Sequence, residues 1–241
     1  RPIETPRGNV VSANTTPDAN TGIGAWTDEQ FENAVRRGIR PDGSRLYPAM
    51  PFNAYTKMSH DDIVAIRAYL RTIVPVHNPV VTNTLPFPFN IRAAMRVWDE
   101  LYFTEGVFKP DPQKSPEWNR GAFLVQGPGH CGACHTPKTF LGGDKVSESL
   151  RGSELQGWVT PNITNDNTVG LGAWSVDDIA TYLHTGHNRI TAATGPMAEE
   201  IEDSSSKMTD GDVKAIAAYL KSLPGDSKTA APLKADDPMM K

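Results

Sequence analysis

The segment Cys131-Gly132-Ala133-Cys134-His135 decides how this 241-residue chain is read. It holds both cysteines of the sequence, and a histidine follows the second directly. That spacing is the c-type haem attachment signal. Two thiols about one helical turn apart can each form a thioether to a haem vinyl group. The next residue then lies under the iron, where its imidazole can bind. The opposite axial position sets much of the redox behaviour, so the remaining sequence must be searched for a sixth ligand. Other readings are weaker. A structural zinc site takes about four N, S or O ligands, and no second Cys pair is present. A redox dithiol of the thioredoxin kind belongs in a strand–helix–strand context, which residues 115–150 do not show. A disulfide across two residues would close a very small loop and stabilise little.

The composition is that of a water-soluble protein with many turns. Hydrophobic residues make up 38%, mean hydropathy is −0.43, and there are 20 prolines and 20 glycines. No apolar run approaches the roughly 18–20 residues that span a bilayer. The net charge of −4 argues against nucleic acid as a partner. The chain starts at Arg1 without a recognisable signal peptide and reads as processed or cut. Covalent haem attachment takes place on the outer side of the bacterial inner membrane, so a periplasmic address is expected.

The chain also repeats itself. NTTPDANTGIGAW (14–26) matches NITNDNTVGLGAW (162–174) at a constant offset of 148, which pairs Trp26 with Trp174 and Gly38 with Gly186. Met50 in YPAMPF pairs with Met197 in TGPMAE at offset 147. KMSHDDIVAIRAYLRTI (57–73) matches KMTDGDVKAIAAYLKSL (207–223) at offset 150. Each copy carries readable helices. Thr27-x-x-Gln30 is a capping-box pattern with Gly38 past the helix end, and Ser175 and Gly186 bracket the counterpart. Ser59 and Thr209 cap helices with apolar positions Ile63, Ile66, Tyr69, Leu70, Ile73 and Val213, Ile216, Tyr219, Leu220, Leu223. Ser115-Pro116-Glu117 starts a further helix that runs toward the cysteines. Residues 91–102 have helical periodicity inside a Pro-rich connector and should dock on a module.

The expected organisation follows. Residues 1–74 form a partial module without a Cys pair, and 75–114 form the connector. Residues 115–225 form a complete haem module, and 226–241 a loose polar tail. The fold is mainly α, with tandem modules, the first lacking its haem-attachment part, and long ordered loops.

Candidate sixth ligands are Met197, Met208, His184 and His187. Met197 sits in a Gly-Pro-Met segment read as a loop that presents a thioether inward. The repeat places a Pro-adjacent Met at the same point in both copies, which favours Met197. Met208 precedes a cap and reads as helix-entry packing. The histidines flank a helix end, where cations suit the dipole, and have no histidine at their matched positions. His130 reads as a loop or haem-edge residue. Trp26 and Trp174 read as packing at a helix entry, and Arg189 is a candidate for a haem propionate. His/Met ligation would raise the potential and fill both axial positions, which suits electron transfer.

WNRGAFLVQGPGHCGACHTPK (118–138), NITNDNTVGLGAW, TGPMAEEIEDSSSKMT (194–209) and AIAAYLKSLP together resemble the cytochrome c subunit of bacterial membrane-bound dehydrogenases. That family serves alcohol, aldehyde, gluconate and fructose dehydrogenases. The resemblance covers nearly the whole chain. It implies class I cytochrome c modules in tandem, three in the family, each with a CxxCH and a later Met ligand. Electrons would come from a catalytic dehydrogenase subunit and pass to ubiquinone or a terminal oxidase. Carried over, Cys131 and Cys134 hold one haem c, His135 and Met197 bind its iron, and no residue is catalytic. Met50 would face a second haem only if a missing segment supplied it. Peripheral membrane association would come from parts absent here, and the chain reads as a fragment. Two other functions are weighed. One is a haem enzyme acting on peroxide or another small ligand after losing Met197. The other is a scaffold that docks a partner through an exposed 47–52 stretch, Tyr47-Pro48-Ala49-Met50-Pro51-Phe52, which reads better as a loop over a haem edge.

Overall fold

The computed structural model describes residues 2–5, 8–80, 85–87 and 89–225, with no side-chain description for 2–5. The tail expected at 226–241 lies outside the described residues. The chain divides into two units, Arg1–Phe108 and Lys109–Lys241. Both are mostly helical, as expected.

Unit one opens with an antiparallel pair, β1 (Pro2–Thr5) and β2 (Gly8–Val11), which the sequence reading did not foresee. Helix α1 (Asp28–Arg37) starts at a complete capping box. Thr27 accepts from the Gln30 N–H while the Gln30 side chain accepts from the Thr27 N–H. Gly38 ends it at φ 63°, a left-handed conformation that costs glycine nothing. A short α2 (Phe52–Tyr55) leads to α3 (His60–Leu70), capped reciprocally by Ser59 and Asp62. The helix expected over 91–102 is a 3-10 turn, Arg92–Ala94, running into α4 (Met95–Tyr102). It docks within unit one, where Trp98 and Phe103 meet Phe52 edge-on at 6.1 and 5.3 Å. Phe52 is 1% exposed. Within the 47–52 stretch Ala49 is exposed and Tyr47, Pro48, Met50 and Pro51 are half-buried, while Phe52 belongs to the core.

Unit two contains α5 (Pro116–Gln126), α6 (Gly132–His135), a hairpin of β3 (Ser153–Leu155) and β4 (Trp158–Thr160), then α7 (Val176–Thr185), α8 (Gly195–Asp203) and α9 (Asp210–Ser222). Ser115 caps α5 with Pro116 at its start; Ser175 and Asp178 form the capping box of α7, and Thr209 caps α9. Gly186 closes α7 at φ 78°. The core is α9 held between α5 and α7, with Ala122, Val125, Ile179, Val213, Ala217 and Leu220 buried. Gly121 lets α5 and α9 approach closely: a Cβ there would lie 2.5 Å from the Ala215 carbonyl carbon and 2.8 Å from Tyr219 Cβ.

The matched loops fold alike in each unit. Asn14 Oδ1 accepts from the Thr16 N–H and hydroxyl, and Asn162 Oδ1 accepts the same pair from Thr164. Asp18 Oδ1 receives the N–H groups of Asn20 and Thr21, and Asp166 Oδ1 those of Thr168 and Val169. The loop is then tied by different residues to α3 in unit one and to α9 in unit two. In unit one the buried Arg67 guanidinium donates to the carbonyls of Ile23 and Trp26. In unit two Lys221 Nζ donates to Leu171 and Gly172 at 3.2 and 2.9 Å.

Candidate haem site

The cysteines follow α5 through a tight turn. Gly129 donates its N–H to the Leu124 carbonyl and has no room for a Cβ there, and His130 takes φ 36°. Cys131 is the N-cap of α6, so Cys134 and His135 come one turn on, with the His135 N–H donating to the Cys131 carbonyl at 2.9 Å. Both cysteines are half-buried and free of a disulfide. Burial pushes the Cys131 thiol up to about 12 and raises that of Cys134. Such thiols stay protonated at neutral pH, unlike those of a redox dithiol, which needs a stabilised thiolate. Among the described residues no cluster of three or more His, Cys, Asp or Glu could hold a metal ion, so nothing supports the zinc reading.

His135 is the most constrained member. Its Nδ1 lies 2.8 Å from the Pro161 carbonyl oxygen. A carbonyl can only accept, so Nδ1 carries the proton, and Nε2 is left as the bare nitrogen a metal requires. Burial lowers the pKa of the ring, which keeps it neutral. The His135 carbonyl accepts from the Gly152 N–H at 2.8 Å, and Thr160 Oγ1 donates to the Cys134 carbonyl at 2.9 Å. Thr160 and Pro161 thus fix the motif, and sequence reasoning missed both. They sit at the end of the β3–β4 hairpin, whose two-residue turn Gln156-Gly157 has positive φ at both positions (53° and 78°). That turn was the available signal.

Met197 is half-buried on α8. The Gly-Pro-Met segment is therefore the first turn of a helix rather than a loop. Pro196 suits a helix start, where its missing N–H is no loss, and Gly195 takes φ 56° with the Trp158 ring against it. Glu200 comes one turn later on the same face of α8. It is shielded enough that burial raises its pKa, and its charge in turn raises those of Cys131 and Cys134. The charge of Glu200 is thus felt at both cysteines, and Met197 lies three residues before it on the same helix. Sequence reasoning missed Glu200 because no helix was expected there.

The remaining candidates sit as follows. His184 lies in the last turn of α7, half-buried, with Nδ1 shielded and unpaired. His187 is exposed, its Nδ1 3.2 Å from the Thr185 carbonyl. Met208 is half-buried just before the Thr209 cap. Arg189 forms a two-point pair with Asp178, both bonds 3.0 Å, so its guanidinium is engaged on α7. Trp174 packs edge-on against Tyr182 at 5.5 Å, the packing role expected. Met50 is half-buried in the turn before α2. Two thiols, an imidazole with one nitrogen fixed by a carbonyl, and a half-buried thioether on α8 are donors of the kinds that fit haem c.

The cytochrome c family model matches residues 119–224. The chain is 44% identical to the fructose dehydrogenase cytochrome subunit of Gluconobacter japonicus, over 94% of this chain and 47% of that protein. It is 41% identical to the cytochrome c subunit of alcohol dehydrogenase (quinone) from Gluconacetobacter polyoxogenes, over 92% of this chain and 49% of that protein. It is 35% identical to a diheme cytochrome c-type protein of Cereibacter sphaeroides, over 92% of this chain and 74% of that one. The chain spans about half the length of the two dehydrogenase subunits.

Proposed function

This chain belongs to the cytochrome c family, and we propose that it is an electron-transfer relay of a dehydrogenase complex. It carries one covalent haem c in a complete module over 115–225. Residues 1–74 are a second module of the same design without a Cys pair, 75–114 are the connector, and 226–241 are a tail. The parallel hydrogen bonds at Asn14 and Asn162, and at Asp18 and Asp166, support the two-module reading.

The observation that carries the site assignment is the His135 Nδ1 contact to the Pro161 carbonyl. It fixes the tautomer and aims Nε2 away from the backbone. Cys131 and Cys134 would hold the haem through thioethers, and His135 Nε2 and the Met197 thioether would bind its iron. When bound, the haem supplies a one-electron ferric/ferrous couple. A neutral thioether opposite imidazole favours the ferrous form relative to a second imidazole and raises the potential. An iron bound by both side chains would leave peroxide and other small ligands no open site. The relatives are named as cytochrome subunits of dehydrogenases, which favours the relay over a haem enzyme.

The electron donor is a catalytic dehydrogenase subunit, and the acceptor is ubiquinone or a terminal oxidase. The location is the periplasmic side of the inner membrane, where haem is attached. No helix among the described residues is long and apolar enough to cross a membrane. The test is spectroscopic. A pyridine haemochrome assay should give one haem per chain, and the ferric protein should show a sulfur-to-iron charge-transfer band near the red end of the spectrum that Met197→Ala removes. A parent protein without that band sinks the Met197 assignment.

A further inference from the structure

Helix α8 carries Met197 in its first turn, and that turn lacks the anchor its neighbours have. Helices α5, α7 and α9 each start at a hydroxyl that accepts from a free N–H, on Ser115, Ser175 and Thr209. At the start of α8 the Thr194 side chain makes no such bond. Gly195 follows at φ 56°, a conformation its own backbone leaves as readily as it enters.

The group that lies against this turn is Trp158. A Cβ at Gly195 would stand 2.7 Å from Cε2 and Cζ2 of the indole and 2.9 Å from Cδ2. Three ring atoms at nearly one distance mean that the face of the indole covers the glycine, and only a residue without a side chain admits it. At 47% exposure Trp158 is no core residue. Its strand also fixes the histidine side of the site. Residues two apart on a strand point to the same face. Thr160, two residues on, donates to the Cys134 carbonyl, and Pro161 accepts from the His135 ring. Trp158 and the start of α8 therefore lie on the cysteine face of β4, about 7 Å along the strand from Thr160. Val159, 83% exposed, points the other way. The three residues of β4 thus touch both the element that carries His135 and the one that carries Met197.

We infer that Trp158 is a positioning residue for the sixth ligand: its indole, stacked on Gly195, holds the first turn of α8 where Met197 can bind the iron. The inference rests on the His135/Met197 reading and adds the side chain that would keep the thioether in place.

The test measures how readily added imidazole displaces Met197 from the ferric haem of the full chain. The apparent affinity of the competitor rises with the fraction of iron that Met197 leaves free. Trp158→Ala should bind imidazole about tenfold more tightly than the parent and lose much of the sulfur-to-iron band, with haem content and far-ultraviolet circular dichroism unchanged. Trp158→Phe keeps a ring over Gly195 and should restore both. Val159→Ala, on the other face, should match the parent. Gly195→Ala disturbs the same contact from α8 and keeps the test decisive if Trp158→Ala does not fold. It too should tighten imidazole binding about tenfold, and the double variant should bind no tighter than either single one, since both break one contact. Parent-like imidazole affinity in Trp158→Ala overturns the inference, and so do effects that multiply in the double variant. A parent sensitive to Met197→Ala but indifferent to Trp158→Ala refutes the positioning role alone. A parent indifferent to Met197→Ala refutes the ligand reading and the positioning role with it.

Discussion

Replacing Gly121 with alanine should pry α5 from α9 and destabilise unit two. The new Cβ would stand 2.5 Å from the Ala215 carbonyl carbon, where ordinary contact begins at 3.4 Å. The obstacle is backbone in the middle of α9, so no side-chain rotation can relieve it. The Ala215 carbonyl oxygen lies nearer still, so the helices must separate by more than 0.9 Å at that point, loosening the Trp118 bond to Ser222 and the packing of Ala122 and Ala217. Overpacking of this kind costs about 1–3 kcal/mol, and a backbone obstacle belongs at the upper end. Alanine returns up to about 1 kcal/mol through its helix propensity, leaving a net loss of about 2 kcal/mol. For a domain of this size that lowers Tm by roughly 8 °C. Thermal unfolding followed by both far-ultraviolet circular dichroism and haem absorbance reads the effect. Gly211→Ala is the control. It lies in the first turn of α9 with only Thr209 Oγ1 at 3.9 Å, so it should stabilise by up to about 1 kcal/mol. A Gly121→Ala protein as stable as its parent would refute the close approach of α5 and α9.

Three further outcomes follow from the same structure. Arg67→Met should cost about 3 kcal/mol by removing a buried cation from two carbonyls, whereas Lys221→Met, from a more open site, should cost about 1 kcal/mol; urea unfolding of the two variants gives the order. The Arg120 guanidinium holds the Asp212 carboxyl below its ordinary value of 3.8. Its contribution is thus full above about pH 3.8 and fades as pH falls through the lower folded-state pKa, and the urea midpoints of parent and Asp212→Asn should converge below that pH. Ser175→Ala removes the α7 cap, should cost about 1 kcal/mol, and should speed amide exchange in the first turn of α7 with little change in α9.

Much of this molecule was legible because its signals are local. Thr27-x-x-Gln30, Ser59, Ser115, Ser175 and Thr209 start helices since a side-chain oxygen one turn before a free N–H satisfies it wherever the chain goes. Gly38 and Gly186 end helices because the left-handed turn there suits glycine. The haem motif is equally local, five residues whose spacing is set by one helical turn. The β3–β4 hairpin was less visible, its only mark being Gln156-Gly157. Met197 was singled out by the repeat but assigned to a loop, since Gly-Pro reads as a break as readily as a helix start.

What the sequence alone determined is therefore the Cys-x-x-Cys-His pentapeptide, the twofold repeat and the ends of the capped helices. The tertiary structure decided which copies of a shared pattern are buried. Identical apolar spacing in α3 and α9 gives one open face and one core helix, because burial depends on a neighbour that the helix itself does not encode. It also decided that Arg67 in one unit and Lys221 in the other tie down the same loop. A long cation on either of two successive turns can reach one matched carbonyl, that of Ile23 or Leu171, so the repeated pattern sets the need for a donor but not its position.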